Sequence, residues 1–296
     1  MAAKSMNGIP DPSLRVQKTS VEALSLEGKK VVVVGGTDGL GRAIAPLALA
    51  RGARVTVAGR TLRDEARPGL TFVRTDLSSM RAARELGETL DADVDVVVLT
   101  AGIMAAPQRE TTSEGIERDL AISALSRVAL LRAYAPRLAQ AKRGRPRVFV
   151  MGFPGSGELG NPDDLNAERS YDAMAAHYNT VALNEALVLD ARERWRELDV
   201  FGLNPGGVKT NIRANYLGEG SLKHRLAELL IGILMPSADT YARGIVPLFV
   251  APELEGRSGA MFGKKGTAIL PSSGLAGERT ARFVAAADAL LAQAER

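Results

Sequence analysis

The 296-residue chain contains no cysteine. That excludes disulfides, thiolate metal sites and a thiol nucleophile. His177 and His224 are its only histidines, which argues against a histidine-built metal centre, and no metal is expected. Aromatic residues make up just 4% of the chain. The longest apolar run, near Leu226–Met235, is far shorter than the roughly 20 residues a membrane-spanning helix needs. The N-terminal stretch has no apolar h-region, so no secretory signal is expected and a cytoplasmic location is. Nor is there a block of like charge: the formal net charge is +4 and the basic residues are scattered, which argues against a nucleic-acid partner.

The remaining sequence is strongly patterned. Residues 1–27 are polar, carry Pro10 and Pro12, and read as a flexible or loosely docked arm. From Lys29 onward short aliphatic runs alternate with amphipathic stretches. Strands are expected at Val31–Val34, Ala53–Ala58, Thr71–Arg74, Val94–Leu99, Arg147–Met151, Val200–Leu203 and Ala260–Phe262. Helices are expected around Leu40–Arg51, Ser79–Leu90, Ser113–Ala139, Tyr171–Leu198, Ala238–Val250 and Ala276–Ala294. Buried strands alternating with helices imply an α/β fold with a doubly wound parallel sheet, a single domain over 28–296. The second and third strands lie so close in sequence that any helix between them must be very short.

In such a sheet, ligands bind outside the carboxyl ends of the strands. The first strand runs into Gly35-Gly36-Thr37-Asp38-Gly39-Leu40-Gly41 and then a helical pattern. Gly35 allows a tight turn, Gly39 lets the backbone approach a pyrophosphate, and Gly41 permits close helix–strand packing. The helix N-terminus then presents unpaired N–H groups to the phosphates. The bland alternative is a tight turn with no ligand. After the second strand stands Arg60, which would bind a 2′-phosphate where a carboxylate would bind a 2′-hydroxyl, so NADP(H) is expected over NAD(H). Asp38 puts a negative charge near the same phosphates. Asp76 and Leu77 are placed to receive adenine, and Ala101 and Gly102 to press on a ribose. Pro205, Gly206, Val208 and Thr210 form a turn able to hold a nicotinamide carboxamide.

These motifs resemble those of the short-chain dehydrogenase/reductase family, over about Leu24 to Leu291. Val34-Gly35-x-x-x-Gly39-Leu40-Gly41 is similar to its glycine motif, and Thr100-Ala101-Gly102 to the end of its N-N-A-G. Pro205-Gly206-x-Val208-x-Thr210 is similar to P-G-x-V-x-T. Asp164-Leu165-Asn166 through Asn184, and Pro252 to Gly259, resemble the retinol-dehydrogenase-type branch. The resemblance implies a Rossmann-type fold, an NADP(H)-dependent oxidoreductase and, as in many members, a homodimer or homotetramer.

It also implies a Tyr-x-x-x-Lys pair, which the chain lacks: none of Tyr134, Tyr171, Tyr178, Tyr216 and Tyr241 is followed four residues later by lysine. Aligned on Asp164–Asn166 and Asn184, His177 takes the tyrosine's place and Val181 the lysine's. Phe153 takes the serine's and Ser123 the asparagine's. His177 is the expected proton donor, since imidazole titrates near neutrality. Tyr178, about 100° round the helix, is a secondary candidate, and Ser156 a further one if the Pro154-Gly155 turn swings it inward. The segment 211–235 is expected to form an apolar lid, so the substrate is expected to be a hydrophobic carbonyl, alcohol or enone. Two other readings stay open: a pseudoenzyme that binds the dinucleotide, or a non-redox cyclase or dehydratase on the same scaffold.

Overall fold

The computed structural model describes residues 7–65, 67–140, 144–208 and 236–294. Thr210 and the expected lid at 211–235 lie outside them. The described strands form one sheet in the order β3-β2-β1-β4-β5-β6-β7-β8. In chain order they are β1 (Lys30–Val34), β2 (Arg54–Gly59), β3 (Leu70–Arg74), β4 (Val96–Leu99), β5 (Arg147–Met151), β6 (Asp199–Leu203), β7 (Met261–Phe262) and β8 (Ala268–Ile269). All neighbours pair in parallel except β7 and β8.

β1 shows why the sheet is doubly wound. Val31 and Val33 point into one apolar layer with Ile44 and Ala48 of α1 (Gly39–Ala50) and Tyr241 and Ile245 of α5 (Ala238–Ile245). Val32 and Val34 point into the opposite layer, with Met80 and Leu86 of α2 (Met80–Thr89) and Leu130 and Leu131 of α3 (residues 118–138). Ala182 and Ala186 of α4 (Ala173–Arg194) and Phe283 of α6 (Glu278–Ala294) complete that layer. Consecutive buried valines are stable only where helices cover both faces, and each such side chain contributes about 1.5–3 kcal/mol on burial.

Helix α3 is irregular where it matters. It starts as an α-helix at Arg118–Leu120, widens to a π-helix over Ala121–Leu125 and returns to α over Ser126–Leu138. Its start falls later than the expected Ser113, because Thr112–Ile116 closes a turn and Thr111 bridges Glu117.

Two expectations are corrected and a third is narrowed to one of its alternatives. The connection between β2 and β3 carries no helix among its described residues; Leu70 N–H closes a turn on the Arg67 carbonyl instead (3.0 Å). The helix expected over Ala238–Val250 breaks after Ile245 into a 3₁₀ turn, Val246–Phe249, which contains Pro247. The N-terminal arm is docked over residues 7–27. Pro10 bridges Ile269, Leu270 N–H donates to the Ile9 carbonyl (2.8 Å), and Leu14, Val21 and Leu26 are buried. The arm thereby covers the otherwise open edge of β8, a strand too short to be legible in the sequence.

Candidate active site

The carboxyl ends of β1, β2, β4 and β5 open onto one cleft of about 570 Å³. At one end, the β1–α1 turn supplies Gly35, Thr37, Asp38, Gly39 and Leu40. Gly35 has φ +86°, and a Cβ there would stand 2.4 Å from the Ala101 backbone nitrogen. Only glycine fits such a position. Asp38 caps α1 by accepting from Gly39 N–H (2.9 Å), and its other oxygen pairs with Arg63 at 2.9 Å. The negative charge that the sequence puts beside the phosphates is therefore already matched by an arginine. Arg60 and Arg63 both line the cleft beyond β2.

Asp76 and Leu77 close the same end. Burial would push the Asp76 carboxyl up, but bonds from Ser78 N–H (3.0 Å) and Ser78 Oγ (2.8 Å), with the charges of Arg60 and Arg118, hold it below the ordinary carboxylate range. Next to it, Thr75 Oγ1 is buried with no hydrogen-bond partner and lines the cleft. An orphaned hydroxyl beside an acceptor, close to a glycine turn and a helix N-terminus, fits an adenine nucleotide.

The other end is built from buried side chains of α3 and α4. His177 Nδ1 lies 2.7 Å from Asp119 Oδ2; Asp119 is fully buried and the His177 side chain is 19% exposed. Ser123 Oγ donates to Asp119 Oδ1 (2.5 Å) and accepts from Ile103 N–H (2.9 Å). Burial alone would lower the imidazole's pKa, but the hydrogen bond and charge of Asp119, with Glu117 farther off, raise it above its ordinary value. Glu117 caps α3 by accepting from Leu120 N–H (2.7 Å), and its own carboxyl is raised, chiefly by burial. His177 Nε2 has no hydrogen-bond partner among the described residues, and the residue lines the cleft.

Below this pair, Arg127 is buried and donates to the backbone carbonyls of Ala101 and Met151, at the ends of β4 and β5, and to Asn184 Oδ1. Asn184 Nδ2 donates to the carbonyls of Ser123 and Thr180, both at 2.8 Å. The Ser123 carbonyl lies in the π-helical stretch, where the wider turn sets carbonyls outside the α-helical ladder. Gly152 is required opposite it, since a Cβ there would sit 2.5 Å from Asn184 Cβ. The following residue, Phe153, lines the cleft with φ +71°, a strained conformation for a bulky side chain.

Of the residues read from sequence, Gly35, Thr37, Asp38, Gly39, Leu40, Arg60, Asp76, Leu77, Ala101, Gly102, His177 and Pro205 all line this cleft. Tyr178, Gly206, Val208 and Ser156 do not. Val208 is buried in the layer beneath α1 and α5, and Ser156 is buried behind the β5 loop. Thr75, Asp119 and Arg127 were not legible as site residues. One signal existed: Asp119, Ser123 and Arg127 recur every four residues among Leu120, Ala121, Ile122, Ala124 and Leu125, the mark of a polar stripe facing something specific. Among the described residues, no group of three or more His, Cys, Asp or Glu side chains could hold a metal ion, and no helix is long and apolar enough to cross a membrane.

Residues 29–150 match the family model described as short chain dehydrogenase. The chain is 42% identical over 294 residues to the uncharacterized oxidoreductase YKL107W of Saccharomyces cerevisiae, covering 97% of this chain and 95% of that protein. It is 28% identical to human retinol dehydrogenase 14 (84% and 82% covered) and 29% identical to mouse polyprenol dehydrogenase (78% and 74% covered). Among solved structures, a protein from Mycobacterium paratuberculosis superposes with TM-score 0.66 at 20% identity, covering 93% and 98%. A short chain dehydrogenase from Burkholderia cenocepacia in complex with NADP gives 0.55 at 17%, covering 76% and 85%. These likenesses establish the fold. The near full-length identity to the yeast oxidoreductase goes further: the chain belongs to the short-chain dehydrogenase family, built on the fold of NAD(P)-dependent oxidoreductases.

Proposed function

We propose that the protein is an NADP(H)-dependent oxidoreductase that moves a hydride to or from a hydrophobic carbonyl, alcohol or enone, with His177 as the proton donor. The observation that carries this reading is the His177–Asp119 pair, 2.7 Å apart, in the same cleft as the glycine turn. NADP(H) would be held by Gly35, Thr37, Gly39 and Leu40 at the pyrophosphate, Arg60 at the 2′-phosphate and Asp76, Leu77 and Thr75 at the adenine. Ala101, Gly102 and Pro205, which line the cleft, would serve the ribose and nicotinamide, together with Thr210. A bound nicotinamide supplies or accepts the hydride.

The chain's own part is proton transfer. With Nδ1–H donating to Asp119, the imidazolium presents Nε2–H to the cleft. When hydride reaches the carbonyl carbon, Nε2 gives its proton to the carbonyl oxygen, leaving neutral imidazole in the Nδ1–H tautomer that Asp119 favours. Solvent then restores the Nε2 proton. This replaces the tyrosine and lysine that the resemblance implies and the sequence lacks. Ile103, Ile122, Met151, Phe153 and Val181 line the cleft nearby, which suits an apolar substrate. Two relatives are named for alcohols, retinol and polyprenol. The NADP(H) preference is supported by Arg60 and Arg63 beyond β2, with Asp38 already paired. A homodimer or homotetramer and a cytoplasmic site of action belong to the same reading. Ile9 and Leu270, neighbours on the β8 edge, are exposed apolar side chains that an assembly would cover.

The test is a fluorescence and thermal-shift titration with NADPH and NADH, then a carbonyl and alcohol panel with wild type and H177A. Tight NADPH-selective binding with turnover lost in H177A supports the reading. Tight binding without turnover on any substrate would favour a dinucleotide-binding pseudoenzyme. Substrate conversion without change in nicotinamide absorbance would favour the cyclase or dehydratase reading.

A further inference from the structure

Arg127 is unusual for a cleft residue: a cation that is 5% exposed yet lies under the site rather than at its rim. A guanidinium carries five N–H groups. Nη1 donates to the Met151 carbonyl and to Asn184 Oδ1 (2.6 Å), and Nη2 donates to the Ala101 carbonyl (2.5 Å). Nε–H has no acceptor, and nothing among the described residues takes the second N–H of Nη2. Burial lowers the guanidinium's pKa to about 9, with the Asp119 charge opposing the fall, so it is still a cation at neutral pH. Unmet donors on a buried cation are costly, and the cost is removed when a ligand accepts them.

The neighbouring donors are taken. Thr100 Oγ1 donates to the Val34 carbonyl (2.9 Å), Thr180 Oγ1 to the His177 carbonyl (2.7 Å), and Ser123 Oγ to Asp119. Both protons of Asn184 Nδ2 go to carbonyls. Ile103, Ile122 and Val181 have no polar side-chain atoms. Between the glycine turn and His177, Arg127 is thus the lining side chain with donors to spare among the described residues. Gly102 leaves it uncovered: a Cβ at that residue would lie 3.4 Å from Ser123 Oγ and 3.9 Å from Arg127 Nη2.

We propose that Arg127 is a cofactor-binding residue whose second Nη2 N–H, open on the Gly102 side, donates to a hydroxyl of the ribose next to the nicotinamide, while Nε–H stays sealed beneath the cleft. The inference rests on the dinucleotide reading above. In a dinucleotide with its phosphates on the β1–α1 turn and its reacting ring beside His177, the group between them is a sugar diol. Its oxygens are acceptors of the kind the guanidinium lacks. Arg127 also ties the ends of β4 and β5 to α4, so a purely structural role is the rival.

Two ligands that differ by one sugar separate these roles: 2′-phosphorylated ADP and 2′-phosphorylated ADP-ribose. On the wild type, the terminal ribose should tighten binding about tenfold or more, as one charge-assisted hydrogen bond would. Equal affinities for the two ligands overturn the proposal without recourse to any variant. In R127K and R127Q, checked for folding by thermal melting, that gain should fall to about twofold or less, while 2′-phosphorylated ADP binds as to wild type. A gain that persists in the folded variants, or equal weakening of both ligands, assigns Arg127 a structural role alone and also overturns the proposal. If neither ligand binds the wild type, the failure is of the dinucleotide reading itself.

Discussion

The two ends of the cleft are made of different material. At the β1 end the walls are backbone: a glycine turn so close to Ala101 that a Cβ would come within 2.4 Å of its nitrogen, and the N-terminus of α1. The charged side chains there, Asp38, Arg60 and Arg63, stand at the rim. At the β5 end the walls are side chains, and the polar ones are buried and bonded to one another: Asp119 to His177 and Ser123, Arg127 to Asn184, Asn184 back to the Ser123 carbonyl. A backbone cradle recognises what every dinucleotide shares. A buried side-chain network sets the protonation and geometry of one group, so it is where an unusual chemistry can be installed without changing the fold.

The comparison breaks most sharply at His177. H177A should lower kcat for carbonyl reduction by about 10²–10⁴-fold, with NADPH affinity within about twofold of wild type; a loss below tenfold would remove His177 as the proton donor. At the backbone end the largest effect should come from G35A, which forces a Cβ into the Ala101 backbone at a left-handed φ. A destabilisation of about 2–4 kcal/mol and loss of nucleotide binding are expected, read by urea melts and titration. R60A should act on affinity alone, weakening NADPH by about 10- to 100-fold and leaving NADH nearly unchanged. An unchanged NADPH affinity would end the case for a 2′-phosphate site.

Smaller effects sharpen the picture at the network end. The folded His177 pKa is raised above 6.5, so the stability its pairing with Asp119 contributes is fully present below about pH 6.5 and lost as pH rises through the raised value. Reduction should decline over the same rise in pH, since the donor is the protonated form. D119N should move that decline to lower pH, and an inflection that does not move would show that Asp119 does not hold the imidazolium. The smallest effect is expected at Phe153. F153G relieves the left-handed strain and should stabilise the fold by about 1 kcal/mol, raising Tm by a few degrees while weakening binding of apolar substrates.

The legibility of the site follows the same division. The glycine turn could be read because glycine spacing, a preceding valine run and a following helix are local, and the cause lies within ten residues. His177 could be placed because Asp164–Asn166 and Asn184 fix the register of one segment. Asp119 and Arg127 could not, since their partners lie at 177, 101, 151 and 184 and nothing local states the pairing. Their spacing of four was visible, but the π-helical turn that lines them up is not a property of the segment alone. Which of the two readings of the arm holds was not legible for the same reason: a polar stretch with two prolines has no periodicity, and its buried Leu14, Val21 and Leu26 belong to the apolar layer that includes Ile44 and Ala48 of α1.

By itself, the sequence determined the α/β class, the strand and helix order, the position of the nucleotide turn and the absence of thiol chemistry, because each depends on periodicity, composition or a short motif. Only the tertiary structure decided which charges are neutralised and which donors are left over: that Asp38 is matched by Arg63, that His177 rests on a fully buried carboxylate, and that Arg127 lies under the cleft with N–H groups to spare. Those properties arise from groups far apart in the chain meeting in a medium from which water is excluded. There the balance of desolvation against pairing, rather than residue identity, sets what a side chain can do.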